Sequence, residues 1–161
     1  MEKSNKITSI NKEGLDLIKS FEGLKLKPYL CPASIPSIGY GTTRYPNGNK
    51  VSLKDPEITI EQAEEYLLHD VKQFELVVDN YCRDDINSNQ FSAITSWVYN
   101  LGQGSLKSST LLKVLNNNPN DPQIKKEIMK WVMADKKVLQ GLVNRRKAEA
   151  ELYFKPVNNN K

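Results

Sequence analysis

Glu22 is a carboxylate placed where a general acid is useful. It belongs to the stretch from Phe21 to Thr43, FEGLKLKPYLCPASIPSIGYGTT. That stretch starts where an amphipathic pattern stops. INKEGLDLIKSFEG puts Leu15, Leu17 and Ile18 toward one side and Lys12, Asp16 and Lys19 on the other. Asn11 is the expected N-cap and Gly23 the expected stop, so Glu22 falls in the last helical turn. A helix C-terminus carries partial negative charge, and that field favours a protonated carboxyl. A carboxyl held neutral near pH 7 is what protonation of a leaving oxygen needs. Taken alone, Glu22 also reads as an ordinary exposed glutamate at a helix end.

The residues after Gly23 must fix what faces that carboxyl. LKLKPYL, CPAS and IPSIGYG alternate and turn, with proline and glycine punctuating short β-like runs. The pattern predicts a small twisted hairpin directly after the helix. TRYPNGNKVSL carries Pro46 and Asn47-Gly48, a turn signal ahead of one more short strand. Thr59 and Gln62 form a variant capping box before a helix of about 20 residues, EQAEEYLLHDVKQFELVVDNY, which would span roughly 30 Å. Its apolar positions are Ala63, Tyr66, Leu67, Phe74, Val77, Val78 and Tyr81. His69 on this helix reads as a surface histidine beside Asp70, and the chain holds no second histidine to build a metal site with it.

From Ile86 onward the pattern is helical only. NSNQFSAITSWVYNLG is capped at Asn87 or Ser88 and stops at Gly102. SLKSSTLLKVLNNN follows. Asp121-Pro122 supplies an N-cap and a first-turn proline to a helix carrying Ile124, Ile128, Trp131 and Val132 on one face. GLVNRRKAEAELYF closes the series, with Leu142, Leu152 and Tyr153 separated by charge. Asparagine clusters mark 116–120 and 158–160.

Composition narrows the class. The 161 residues suit one domain with a real core, and 39% hydrophobic with 26% charged residues is a globular balance. No run of 18 apolar residues exists, so no stable membrane insertion is expected. MEKSNKITSINKEG lacks an apolar h-region, so no signal peptide is expected. Cys31 and Cys82 make no disulfide framework, and free thiols fit a reducing compartment. A net charge of +4 suits an anionic polymer such as a bacterial wall and is too weak and dispersed to argue for nucleic acid.

Three motifs, in order, resemble one known family. E-G-x-x-L-x-x-Y with S-I-G-Y-G-T-T, then NQFSAITSWVYNLGQGSLKSSTLL, then GLVNRRKAEAELY are similar to the phage lysozymes of glycoside hydrolase family 24. The likeness runs from about Ile10 to Tyr153. Two departures stand out. Thr42 follows I-G-Y-G where the family often has His. Ala134, Asp135 and Lys136 stand where it often has Ala-Gly-Gly.

The resemblance implies an α+β, lysozyme-like fold in a single domain. A small β-hairpin N-terminal lobe (about 11–58) is joined by a long helix (about 59–81) to a helical C-terminal lobe (about 86–156). The substrate is expected in the cleft between the lobes. The implied reaction is hydrolysis of the β-1,4 bond between N-acetylmuramic acid and N-acetylglucosamine in peptidoglycan, with no cofactor and no metal. Glu22 is the implied acid. Cys31 holds the position of the family's second catalytic residue, Asp or in some members Cys, and Ser37 that of its Thr. Arg145 matches a position that orients the glutamate by a charge-assisted bond, a solvated helix arginine being the alternative. Asn100 and Tyr99 match the cleft wall, where an amide could hold an acetamido group, or serve a buried structural role. Cys31 is either a catalytic thiolate or a small hydrophobe.

The expected biology is an endolysin: a monomer kept in the host cytoplasm until a holin pore releases it onto periplasmic peptidoglycan. Two alternatives stay open. One is a non-catalytic peptidoglycan-binding homologue that lost the chemistry through Cys31 and Ser37. The other is an antibacterial wall hydrolase not used for phage release.

Overall fold

A computed structural model describes residues 6–134 and 136–157. The start of the polar lead-in (1–5), Asp135 and the asparagine cluster at 158–160 lie outside the described residues. Among those described are seven helices and two antiparallel hairpins: α1 (Lys12–Glu22), β1 (Lys25–Leu30), β2 (Pro36–Gly39), α2 (Ile60–Tyr81), α3 (Ser88–Leu101), α4 (Gln103–Lys107), α5 (Thr110–Asn117), α6 (Gln123–Met129), β3 (Met133–Ala134), β4 (Lys137–Val138) and α7 (Gln140–Phe154).

The chain forms two compact units, Ile18–Gln73 and, with Phe74 onward, the residues up to Leu17. Residues 11–17, expected in the N-terminal lobe, therefore belong with the C-terminal helices. The reason is local and steric. Asn11 caps α1 by accepting from the Gly14 amide at 2.9 Å, and its own amide N–H donates to Ser92 Oγ at 2.9 Å. A Cβ at Gly14 would lie 2.7 Å from that of Ser92, so only glycine permits this approach.

In the smaller unit, α1 ends at Gly23 (φ +75°), whose amide donates to the Lys19 carbonyl. Its left-handed backbone turns the chain straight into β1. β1 and β2 pair with Tyr29 opposite Ser37 and Leu30 opposite Pro36, with a bulge between Lys25 and Tyr29. Beyond the hairpin, the expected further strand reduces to one bridge, Arg44 with Lys50, around the turn at Gly48. Its residues are too few to carry a ladder. The predicted capping box is present: the Thr59 amide donates to Gln62 Oε1 at 2.9 Å and the Gln62 amide to Thr59 Oγ1 at 3.1 Å. Ile18, Ile38, Val51, Ile58, Ala63, Leu67 and Val71 are buried here. Gly39 (φ +68°) lets the hairpin rest on Ala63, whose Cβ lies 3.4 Å from where its own would be.

In the larger unit, Asn87, not Ser88, caps α3 with a reciprocal box to Gln90, and Gly102 (φ +93°) ends it. The core is Phe91, Ile94, Trp97, Leu106, Leu111, Leu115, Ile124, Ile128 and Tyr153, together with Cys82. Burial pushes the Cys82 thiol up to about 12, which makes it inert near neutrality. Both cysteines are free thiols.

Several expectations fail in this unit. Tyr81 is exposed at the end of α2. SLKSSTLLKVLNNN forms two helices, because Ser109 leaves α4 and caps α5 by accepting from the Leu112 amide at 3.0 Å. Asp121 does accept from the Gln123 amide at 2.9 Å, but the regular helix begins after Pro122. α6 stops at Met129, so Trp131 and Val132 are not on its face. Trp131 instead sets its ring 5.4 Å from Trp97, edge on. The all-helical reading also misses the β3–β4 hairpin. Its strands are two residues long, and Lys136 takes a left-handed turn position (φ +65°) with no glycine to signal it. Lys136→Gly is expected to raise stability by about 1 kcal/mol by relieving that strain. A urea midpoint at or below that of the wild type would contradict this.

Candidate active site

α1 and the first hairpin place Glu22, Cys31 and Ser37 in the smaller unit. Glu22 is half-buried in the last turn of α1. Its Oε1 lies 3.5 Å from where a Cβ on Gly41 would stand. Gly41 has φ +93°, and that torsion calls for glycine there.

Cys31 sits at the hairpin tip, partly exposed. The tip is a tight turn: the Cys31 amide donates to the Ile35 carbonyl at 3.1 Å and the Ser34 amide to the Cys31 carbonyl at 2.8 Å. That turn aims backbone amides at the sulfur. The Ile35 amide, then the Ala33 amide and the Ser37 hydroxyl, hold the Cys31 thiol below its ordinary range, against the opposing effect of burial. A thiol that favours its thiolate can stabilise positive charge or activate water.

Ser37 is 1% exposed, and its hydroxyl donates to the Ile35 carbonyl at 3.0 Å. One proton serves one acceptor at a time, so Ser37 bonds either that carbonyl or the Cys31 sulfur. Its lone pairs stay available to a donor in both cases.

Tyr29, noted in the sequence only as part of the motif, feels both the acid and the thiol. Burial raises its phenol, and the negative charges of Glu22 and then Cys31 raise it further. Glu22 and Cys31 therefore act on one point of the smaller unit. The Lys25 ammonium lies 4.7 Å from the Tyr29 ring centroid, which fixes the ring by a cation–π contact.

Thr42, the departure from the family's His, donates to Asp70 Oδ2 at 2.7 Å. Burial raises the Asp70 carboxyl, while Thr42 and His69 pull it down. His69 is half-exposed, with Nδ1 3.9 Å from Asp70. An acid whose folded pKa is raised stabilises the fold below that pKa and loses the contribution as pH rises through it. Asp70→Asn removes the buried charge and still accepts from Thr42. It is expected to raise the melting temperature at pH 8 by about 2–4 °C, with a smaller gain at pH 4. A lower melting temperature at pH 8 would show that the charged hydrogen bond outweighs burial.

Arg145, Asn100 and Tyr99 lie in the larger unit. Arg145 is 3% exposed, so the solvated alternative is wrong. Its Nε donates to Glu149 Oε2 at 3.3 Å and its Nη2 to the Ser96 carbonyl at 3.3 Å. Asn100 accepts at Oδ1 from Arg146 Nη2, which leaves its amide hydrogens for another acceptor. Tyr99 packs edge-on against Phe74 with ring centroids 5.2 Å apart. The buried trio of Arg145, Arg146 and Glu149 escaped the sequence reading, since charge along α7 looked solvated. The closing R-R-x-x-E motif was its only signal. Among the described residues no cluster of His, Cys, Asp or Glu could hold a metal ion. No described helix is long and apolar enough to cross a membrane.

Comparison with known proteins bears on the family and the fold. Residues 19–149 match the phage lysozyme family. The chain is 39% identical over 146 residues to the endolysin of Bacillus phage B103, covering 91% of this chain and 54% of that protein. It thus spans about half of that relative's length. It is 38% identical over 148 residues to the endolysin of Acyrthosiphon pisum secondary endosymbiont phage 1, covering 89% of this chain and 97% of the relative. The solved endolysin of Escherichia coli O157:H7 phage FAHEc1 superposes with a TM-score of 0.84 at 37% identity, over 94% of this chain and 97% of that one. The α+β, lysozyme-like expectation therefore holds, and the chain belongs to the phage lysozyme family.

Proposed function

We propose that this chain is an endolysin that hydrolyses the β-1,4 bond between N-acetylmuramic acid and N-acetylglucosamine in bacterial peptidoglycan. The observation that carries the reading is the hairpin tip. It holds Cys31, whose thiol the turn's backbone amides lower from its ordinary range, in the hairpin that follows directly on the helix closed by Glu22. Glu22 donates its proton to the glycosidic oxygen as the C1–O bond breaks. The Cys31 thiolate stabilises the positive charge left on the sugar and takes a proton from the water that attacks C1. Ser37 offers its lone pairs to that water. Arg145, Asn100 and Tyr99 act in substrate binding or orientation, the Asn100 amide donating to an acetamido oxygen. The protein acts as a monomer, made in the host cytoplasm and released to the wall through a holin pore.

Mass analysis of muropeptides after digestion tests the reaction. Reducing-end N-acetylmuramic acid supports hydrolysis. Anhydro products indicate lytic cleavage, and intact wall indicates the binding-only alternative. The anomer released tests the role of Cys31. An inverted product fits activation of water, and a retained one fits attack by sulfur. Inversion is expected, because a thioglycoside would hydrolyse slowly and no second base is evident.

Substitution at Cys31 separates thiolate chemistry from packing. Cys31→Asp restores an acceptor that is negative near neutrality and is expected to stay active. Cys31→Ser and Cys31→Ala are expected to lose about tenfold to a hundredfold in turnover, since Glu22 remains to supply the acid. Wild-type turnover of Cys31→Ala would make the cysteine a spectator.

A further inference from the structure

The smaller unit carries a second recess, of about 610 Å³, that none of Glu22, Cys31 and Ser37 lines. That volume is in the range of small-molecule sites. Its walls come from the turn around Gly48, the segment before α2 and the first turns of α2. Two tyrosines form its apolar side: Tyr45 and Tyr66 meet edge on, with centroids 5.4 Å apart. The Tyr45 hydroxyl donates to Asp55 Oδ2 at 2.6 Å, and the Ser52 amide donates to the same oxygen at 2.8 Å. Asp55 is thereby held well below the usual carboxylate range and stays charged. Lys50 and Glu57 also line the recess, and among the described residues neither has an ion-pair partner. Gln62 spends its carbonyl on the Thr59 cap, so its two amide hydrogens are left for a ligand.

One cation, two carboxylates, three side-chain amides and two rings share this recess. Lys50 and Glu57 are exposed, so a neutral sugar would gain no ion pair from them, and a simple anion would meet two carboxylates. A zwitterion answers both signs: its ammonium faces Glu57 and Asp55, its carboxylate faces Lys50 and Gln62, and its methylenes lie on the tyrosines.

We propose that the recess formed by Tyr45, Lys50, Asp55, Glu57, Gln62 and Tyr66 binds the zwitterionic diamino-acid end of a peptidoglycan stem peptide. The inference of this ligand rests on the wall-hydrolase reading. Such a site would anchor the smaller unit to peptide-bearing wall while the glycan is cut elsewhere.

The test is nuclear magnetic resonance titration of the full chain with the tripeptide L-alanyl-γ-D-glutamyl-meso-diaminopimelate. Saturable shifts are expected at Tyr45, Lys50, Glu57 and Gln62. Lys50→Ala, Glu57→Gln and acetylation of the peptide's diaminopimelate amine alone are each expected to weaken binding by about fivefold, the worth of a partly screened ion pair. Absence of these shifts, equal binding by the acetylated peptide, or the same shifts with chitotetraose alone would overturn the proposal. A second arm compares the Lys50→Ala/Glu57→Gln protein with wild type on whole sacculi and on glycan stripped of peptide. Slower cleavage of sacculi alone is expected, and equal slowing on both counts against a peptide site. If wild type cleaves neither substrate, the hydrolase reading fails, while the titration still decides whether the recess takes the peptide.

Discussion

Glu22→Gln is expected to lower peptidoglycan cleavage by about a factor of 100 to 10,000 while leaving the fold intact. The fold should survive because the helix end and the turn after it are set by the backbone. α1 is closed by Gly23 and its left-handed backbone, and the turn into β1 is made by main-chain bonds. The amide is nearly isosteric with the acid, so the close packing against Gly41 is preserved. The chemistry should not survive. An amide has no proton acidic enough to leave with the glycosidic oxygen, and in the proposed mechanism Cys31 serves as a base, not an acid. Turnover on purified peptidoglycan and the melting temperature should be measured together. A loss of both would mean that Glu22 holds the fold. Activity above a few per cent of wild type with an unchanged melting temperature would remove Glu22 as the acid.

The features legible in the sequence are those set by short-range chemistry. Asn11, Thr59 with Gln62, and Asn87 each announce a helix start because a side-chain oxygen meets an amide two or three residues on. Gly23 and Gly102 announce helix ends because their backbone is left-handed. The first hairpin is legible through its prolines and glycines. The second is not, since two-residue strands leave no alternation and Lys136 takes the position a glycine would have marked. Of the candidate site, Glu22, Cys31 and Ser37 enter through the resemblance to the family's motif. The bias of the Cys31 thiol could not be read there, because it comes from the direction of the Ile35 amide across the turn. The buried charges of α7 were illegible for the same reason. A pattern of Arg, Lys and Glu on a helix reads as solvated until α3 is known to pack on it.

Those buried charges give the largest expected effect on stability. Glu149 is fully buried, with Oε1 3.0 Å from Arg146 Nε and Oε2 3.3 Å from Arg145 Nε. Ser96 Oγ donates to Oε2 at 2.6 Å. Burial pushes the Glu149 carboxyl up, and Arg146 and then Arg145 pull it back. Burial also lowers Arg146 to about 10, and its Nη1 has no hydrogen-bond acceptor. Glu149 therefore pairs with both guanidinium groups from inside the fold. Glu149→Ala removes that shared carboxylate from buried charges and opens a cavity. A loss of about 3–5 kcal/mol is expected, a large share of the roughly 5–15 kcal/mol that holds a domain together. Glu149→Gln keeps the volume and an acceptor for Ser96, so it should lose less. Arg146→Met combined with Glu149→Leu removes opposite charges together and should be more stable than either single variant. Urea unfolding of the four proteins decides the matter. If the double variant is no better than the sum of its parts, the ion pair is not what couples these positions, and packing of α7 against α3 sets the cost instead.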